Sequence, residues 1–128
     1  MIHKYAEGVW VQLGTRKVNA LAVDEDGVVW VVEGKTDKVS KWDAVTEKWI
    51  DMGLNNANYI AVGSGSQVYA VANSKVYKYT GDNSWVPLPG SGKMVEEIAV
   101  GQAGNLYITV ESDQVFTSYP YMDATALE

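Results

Sequence analysis

The sequence predicts an all-β protein built from β-propeller blades, and an internal threefold repeat is the main reason. Short apolar segments recur at residues 19–23, 58–62 and 97–100. Their shared alanines, Ala22, Ala61 and Ala99, lie 39 and 38 positions apart. A fixed period of about 20–50 residues is typical of solenoids, propellers and arrays, in which each unit buries its apolar faces against the next.

The first two repeats each contain four short segments rich in Val, Ile, Tyr and Trp, separated by Gly, Asn, Asp and Ser, and the third repeat contains the first three of them. This composition is typical of strands joined by turns. In order, we name them the anchor strand, the aromatic strand, the third strand and the tryptophan strand. No stretch of eleven or more residues has helical apolar spacing without a break. Four strands per repeat is the content of one propeller blade.

The anchor strand is predicted to be the inner, most enclosed strand of each blade. Its apolar residues lie on both faces, with Leu21, Ile60 and Ile98 opposite the shared alanines. A strand that is apolar on both faces is usually buried on both. The recurring aromatic residues of the aromatic and tryptophan strands are interpreted as packing between blades: Trp30, Tyr69, Tyr107, Trp10, Trp49 and Trp85.

The repeats predict one domain over residues 1–128. Its parts are a closing strand at 9–14, blade one at 19–53, blade two at 58–89, blade three at 96–119 and a tail at 120–128. Blade three lacks a tryptophan strand, whereas an extra one, led by Trp10, precedes blade one. Closed propellers need about four to eight blades. We therefore expect a homodimer forming a six-bladed ring, in which the Trp10 strand of each chain completes blade three of its partner.

Composition argues against several classes of partner. The formal net charge of −6 disfavours binding to phosphate backbones, so no nucleic-acid partner is expected. The longest apolar run, residues 28–32, is far too short to insert into a membrane. Residues 1–8 lack the apolar stretch of a secretory signal, which favours a cytoplasmic location unless a signal was removed from a secreted protein. There is no cysteine.

The framing of each repeat by tryptophan resembles the tectonin repeat. The middle copy carries the resemblance best, through residues 59–63, 68–71 and 76–79 followed by Trp85. The resemblance covers roughly residues 9–119, and it implies a six- or seven-bladed lectin with glycan sites repeated around the ring. The chain departs from that pattern in having three repeats. Residues 22–30 also look like blades of streptogramin-lyase-like and sensor propellers.

Catalytic and metal-binding groups are scarce in the sequence. The single histidine, His3, lies near a terminus that we expect to be flexible, so no Ser/His/Asp arrangement is predicted. The acidic run 24–26 before Gly27 lacks the spacing of a calcium-binding EF-hand and favours a hairpin turn. The sequence therefore predicts no enzyme, no cofactor and no metal.

Sugar recognition needs an aromatic face against the pyranose ring and polar groups at its hydroxyls. The candidate residues lie at strand ends and in the loops entering anchor strands: Trp42, Tyr79, Tyr77, Tyr59, Asn19, Asn55, Asn56 and Asn58. Arg16 and Lys17 are further polar candidates in these loops. The alternative for each residue is an ordinary role in the core or in a solvated loop. The leading hypothesis is a glycan-binding lectin, the alternative is a protein-interaction scaffold, and a propeller lyase is the weakest.

Overall fold

The computed structural model describes residues 2–63, 65, 67–89, 94–101, 104–110 and 115–117. Of these, residues 115–117 are described by their backbone alone. Thirteen β-strands lie in these ranges. They are β1 (Ile2–Ala6), β2 (Val9–Leu13), β3 (Val18–Val23), β4 (Val29–Glu33), β5 (Val39–Asp43), β6 (Lys48–Asp51), β7 (Ala57–Val62), β8 (Val68–Ala72), β9 (Lys75–Gly81), β10 (Ser84–Pro87), β11 (Val95–Val100), β12 (Leu106–Val110) and β13 (Val115–Thr117). The predicted tail and the end of blade three lie outside the described residues.

The strands form antiparallel sheets that match the predicted repeats. Blade one has the strand order β3-β4-β5-β6, and blade two has the equivalent order β7-β8-β9-β10. Blade three contains β11-β12-β13. The all-β prediction and its four-stranded blades are therefore confirmed, while closure into a ring remains a prediction.

The N-terminal segment is a strand, and our expectation of a flexible terminus around His3 was wrong. Strand β1 pairs with β2 in a separate two-stranded sheet, with Tyr5 opposite Trp10. We call residues 2–13 the N-terminal hairpin. His3 is exposed within this strand. Residues 2–6 precede Trp10, the first residue of the repeat pattern, so the repeats did not predict this strand.

Two apolar clusters join the three blades. The Trp30 and Val32 face of blade one packs against Ile60 and Ala70 of blade two. In the same way, the opposite face of blade two, centred on Tyr69, packs against blade three. Each cluster therefore joins the aromatic-strand face of one blade to the anchor-strand face of the next.

Burial is greatest in the aromatic strand, and the anchor strand is not uniformly enclosed as we had expected. All five residues of β8 are buried, and so are the last four of β4. In β3, by contrast, half-buried and exposed positions alternate, and Leu21 is 52% exposed while its equivalent Ile60 is 3% exposed. The difference follows from position, because β7 has a blade on both sides and β3 does not.

Backbone hydrogen bonds repeat between blades in the same way. The Ala57 N–H donates to the Asp37 carbonyl at 2.8 Å, and the Val95 N–H donates to the Ser74 carbonyl at 3.0 Å. Each bond ties the start of an anchor strand to the turn between the second and third strands of the preceding blade. The blades are thus held in a fixed order and spacing.

Candidate functional site

A cavity with a volume of about 740 Å³ lies at one end of blade one. Its lining residues are mostly charged or polar: Thr15, Arg16, Lys17, Glu33, Lys35, Thr36, Lys38, Trp49 and Asp51. A volume of this size is in the range of small-molecule sites, which are about 300–1,000 Å³. We call it the blade-one cavity.

Three segments of chain meet at the blade-one cavity. They are the loop before β3, the β4–β5 turn, and strand β6, which supplies Trp49 and Asp51. The Gly34 N–H donates to the Lys17 carbonyl at 2.9 Å and fixes the turn to the loop. A Cβ atom at Gly34 would come within 3.2 Å of that carbonyl oxygen, so the close approach favours glycine. The positions of the lining side chains are therefore set by backbone contacts.

Glu33 is the buried charged group of the cavity. Arg16 Nη1 donates to Glu33 Oε1 at 2.6 Å, and the Ser40 hydroxyl donates to Glu33 Oε2. A buried carboxylate needs such partners, because removing a charge from water is costly. The equivalent positions of the other blades are Ala72 and Val110, so this ionic cluster is particular to blade one.

Trp49 supplies the aromatic wall of the cavity. Its ring meets that of Trp42 edge-on, with centroids 5.0 Å apart and an interplanar angle of 62°. The Trp49 Nε1 atom is buried and has no hydrogen-bond partner among the described residues. Gly14 lies against this edge of the indole, where a Cβ atom would stand 2.9 Å from Nε1. Contacts with Trp42 and Gly14 thus hold the indole in place.

Positive charge is concentrated around the cavity. Four of the ten lysines and arginines line it, in a chain whose net charge is −6. Lys38 Nζ lies 3.4 Å from Asp51 Oδ2, and Arg16 is paired with Glu33. Lys17 and Lys35 are exposed and make no salt bridge within the described ranges. The rim therefore offers two ammonium groups to an incoming anion.

The predicted aromatic residues lie in different surroundings. Trp42 contacts the cavity wall through Trp49. Tyr79 packs edge-on against both Trp30 and Trp85, at centroid distances of 5.3 and 5.0 Å. Tyr77 packs beside the cluster between blades one and two, and Tyr59 lines a second, smaller cavity of about 160 Å³ with Tyr107. The four rings therefore do not form one surface.

The predicted asparagines are all exposed. Asn19 Nδ2 lies 3.5 Å from Asp37 Oδ1, beside the turn that lines the cavity. Asn55 and Asn56 are 39 positions after Arg16 and Lys17, and so occupy the equivalent loop of blade two. Asn56 has a φ of 57° and accepts a bond from the Asn73 N–H at 3.3 Å, which makes it a turn residue. Asn58 lies in β7 at the position equivalent to Asn19.

Sequence reasoning missed most of the cavity. Thr15, Glu33, Lys35, Thr36, Lys38, Trp49 and Asp51 were not among the predicted site residues. One signal was available, because Glu33 places a carboxylate where the repeat otherwise has alanine or valine. A charge that breaks a repeat at a buried position indicates a local function or a local ion pair.

The acidic run before Gly27 forms a turn. The Asp24 carboxylate accepts bonds from the Asp26 and Val28 N–H groups at 2.9 and 3.0 Å, and from Trp30 Nε1 at 3.1 Å. Among the described residues, no group of three or more His, Cys, Asp or Glu side chains is arranged to hold a metal ion. The same ranges contain no helix with the length and hydropathy of a membrane span.

Comparison with known proteins identifies the fold. No protein-family model matches the sequence, and no curated protein matches it. Similar solved structures include virginiamycin B lyase from Staphylococcus aureus, at a TM-score of 0.55 and 18% identity over 87% of this chain and 44% of the lyase. A protein described as a gluconolactonase gives a TM-score of 0.65 at 11% identity over 91% of this chain and 51% of that protein.

A third similar structure is the extracellular domain of a one-component system from B. thetaiotaomicron. Its TM-score is 0.58 at 18% identity, over 89% of this chain and 18% of that one. These proteins are β-propellers of differing functions, so the comparisons establish a propeller scaffold. The chain spans about half the length of the lyase and of the gluconolactonase-like protein. The tectonin resemblance stays a prediction.

Proposed function

We propose that the chain is a non-enzymatic carbohydrate-binding propeller and that its ligand enters the blade-one cavity. The observation that supports this most is the composition of the cavity wall, which combines the Trp49 indole with hydrogen-bonding side chains. Sugars present an apolar ring face and a rim of hydroxyls, and such a wall matches both. The exposed Lys17 and Lys35 favour saccharides that carry a carboxylate or sulfate group.

The proposal uses the predicted site residues unequally. Trp42 acts by supporting Trp49, and Asn19 lies at the edge of the cavity beside Asp37. In blade two, the equivalent segment carries Asn55, Asn56 and Asn58, which would contact a second saccharide.

We further propose that two copies of the chain close a six-bladed ring. Each ring would carry two blade-one cavities, so a multivalent surface would be bound more tightly than a single sugar. Avidity of this kind raises the effective affinity by about 10²–10⁴ when the geometry permits. The lectin resemblance and the open ends of the three-blade array both support this arrangement.

A glycan array that includes acidic, methylated and bacterial surface saccharides tests the proposal. We expect binding to acidic glycans that free monosaccharide competes away. Replacement of Lys35 by alanine should weaken that binding at least several-fold, whereas Lys48→Ala, an exposed lysine outside the cavity, should leave it unchanged. Equal binding by both variants, or no binding on the array by the folded protein, would refute the cavity as a glycan site.

A protein-interaction scaffold is the second candidate, because the N-terminal hairpin exposes apolar side chains on both of its faces. Tyr5, Val9, Trp10 and Val11 are each exposed by 48% or more. The Tyr5 and Trp10 rings contact each other and form an exposed aromatic patch on one face, and exposed apolar patches commonly mark interaction sites. Binding of a protein partner by a chain that fails to bind every glycan would favour this candidate.

A further inference from the structure

The N-terminal hairpin has the geometry of the outer half of a blade. In the three places where a third strand meets a tryptophan strand, an aromatic residue lies opposite the tryptophan: Tyr5 and Trp10, Trp42 and Trp49, Tyr79 and Trp85. All three ring pairs have centroids 5.0 Å apart, with interplanar angles of 59–62°. Strand β1 is therefore a third strand and β2 a tryptophan strand.

This half-blade has no inner half in its own sheet. The hairpin forms a sheet of two strands, so the edge of β1 that faces away from β2 pairs with no other strand in the described part of the chain. Trp10 is 68% exposed, although its equivalents Trp49 and Trp85 are half-buried. The two strands that would complete the blade are an anchor strand and an aromatic strand.

Blade three supplies these two strand types in β11 and β12, and its aromatic-strand face is exposed. In blade three, Tyr107 is 42% exposed, whereas its equivalents Trp30 and Tyr69 are 4% and 0% exposed because another blade covers them. At the opposite end, Leu21 of blade one is 52% exposed, whereas Ile60 and Ile98 are buried. The exposed faces at the two ends are the same two faces that pack together inside the chain, so each end fits the other end of a second copy.

We infer that each chain donates its entire N-terminal hairpin to a second copy, where β1 pairs with β12 of the partner. This inference rests on the proposed six-bladed dimer and changes what is exchanged, from one strand to a half-blade. The completed blade would have the order β11-β12-β1-β2, its first two strands coming from one chain and its last two from the other. Its aromatic-strand face would cover Leu21 and Val23 of the donor. The occupant is a second copy because this chain carries both the hairpin and the two exposed faces that match it.

The exchange has a structural consequence for β13. This strand pairs with β12 on the edge that β1 would use, with Tyr107 opposite Thr117. In blades one and two, the equivalent partners of Trp30 and Tyr69 are Lys41 and Lys78. The hairpin supplies the matching lysine, Lys4, whereas β13 supplies threonine. Strand β13 is thus an internal competitor that must leave β12 when the dimer forms.

Paired cysteines show whether β12 pairs with β1 of a second copy or with its own β13. The chain has no native cysteine to interfere. Directly opposed residues in antiparallel strands have Cβ atoms about 4.5–5.5 Å apart, close enough for a disulfide after a small shift. Under mild oxidation, Lys4→Cys/Tyr107→Cys should run mainly as a covalent dimer on a non-reducing gel. The control Lys48→Cys/Tyr107→Cys should remain mainly uncrosslinked, because Lys48 pairs within its own blade.

Light scattering and a β13 variant complete the test. Phe116→Pro should weaken pairing between β13 and β12, since proline removes a backbone donor, and should lower the dimer dissociation constant several-fold. The half-blade exchange is wrong if the dimer does not form the Lys4–Tyr107 crosslink, or if Phe116→Pro weakens the dimer. Either result would leave the dimer proposal intact. A monomeric chain would overturn both. Glycan binding is read independently on the array.

Discussion

The indole Nε1 of Trp85 donates a 2.7 Å hydrogen bond to the backbone carbonyl of Met52. Trp85 belongs to the outer strand of blade two, and Met52 follows the outer strand of blade one, so the bond joins two blades at their periphery. Trp49, the equivalent of Trp85, has no such partner for its Nε1 among the described residues. Equivalent tryptophans therefore differ, because Trp85 donates a hydrogen bond to the preceding blade and Trp49 does not.

Replacing Trp85 with phenylalanine should destabilise the protein. The variant keeps an aromatic ring beside Tyr79 but leaves the Met52 carbonyl without its donor and removes part of a well-packed ring. The loss of one such hydrogen bond costs about 1–3 kcal/mol. Urea denaturation measures the change in the free energy of unfolding. Trp49→Phe is the matched control, since the Trp49 Nε1 atom has no hydrogen-bond partner among the described residues; an equal cost in both variants would contradict the argument.

Gly63 should not tolerate alanine. A Cβ atom there would stand 2.5 Å from Val100 Cγ1, at the boundary between blades two and three. Overpacking of this kind costs roughly 1–3 kcal/mol. The double variant Gly63→Ala/Val100→Ala removes the clash, so its destabilisation should be smaller than the sum of the two single changes. Additive costs in thermal or urea unfolding would show that the contact does not limit packing.

Arg16 and Glu33 should respond unequally to truncation. Arg16→Ala leaves the buried Glu33 carboxylate with the Ser40 hydroxyl as its remaining partner, whereas Glu33→Ala leaves a half-exposed guanidinium that water can solvate. An uncompensated buried charge is the costlier outcome. We expect Arg16→Ala to cost roughly 1–2 kcal/mol more than Glu33→Ala. The reverse order in urea denaturation would contradict this account of the cluster.

The side chain of Asp43 is held by the turn that it begins. The Val45 N–H, at 2.9 Å, and then the Thr46 hydroxyl, at 3.0 Å, donate to its carboxylate and lower its pKa. A depressed folded-state pKa means that the stabilisation is present above the unfolded pKa and is lost as pH falls through the folded value. NMR titration should therefore show Asp43 protonating below the ordinary range for aspartate. Thr46→Val should raise that pKa partway; no change would exclude the hydroxyl as a contributor.

Repetition made the blades predictable from sequence. The recurring alanines placed the anchor strands of blades one and two, predicted at 19–23 and 58–62, within one residue of the observed β3 and β7. Exposure was less predictable, because Leu21 and Ile60 have the same pattern and differ only in whether a neighbouring blade covers them. The cavity was missed for a related reason. Arg16, Glu33 and Asp51 come from separate segments, and only the sheet order brings them together.

Trp42 and Tyr79 are equivalent in sequence, but alanine should affect them differently. Trp42 contacts the cavity wall through Trp49, whereas Tyr79 packs between Trp30 and Trp85 within the blade interface. Trp42→Ala should therefore weaken glycan binding several-fold while the protein stays folded. Tyr79→Ala should act first on stability, since truncating a large packed aromatic ring costs up to about 3–5 kcal/mol.

Glycan binding and thermal unfolding, measured on the same preparations, separate these two effects. Circular dichroism first establishes that each variant is folded at the temperature of the binding assay. A folded Trp42→Ala variant that binds glycan as tightly as the parent chain would remove Trp49 and its support from the proposed site. Lost binding by a folded Tyr79→Ala variant of unchanged stability would instead move the sugar platform to blade two, beside Asn55 and Asn56.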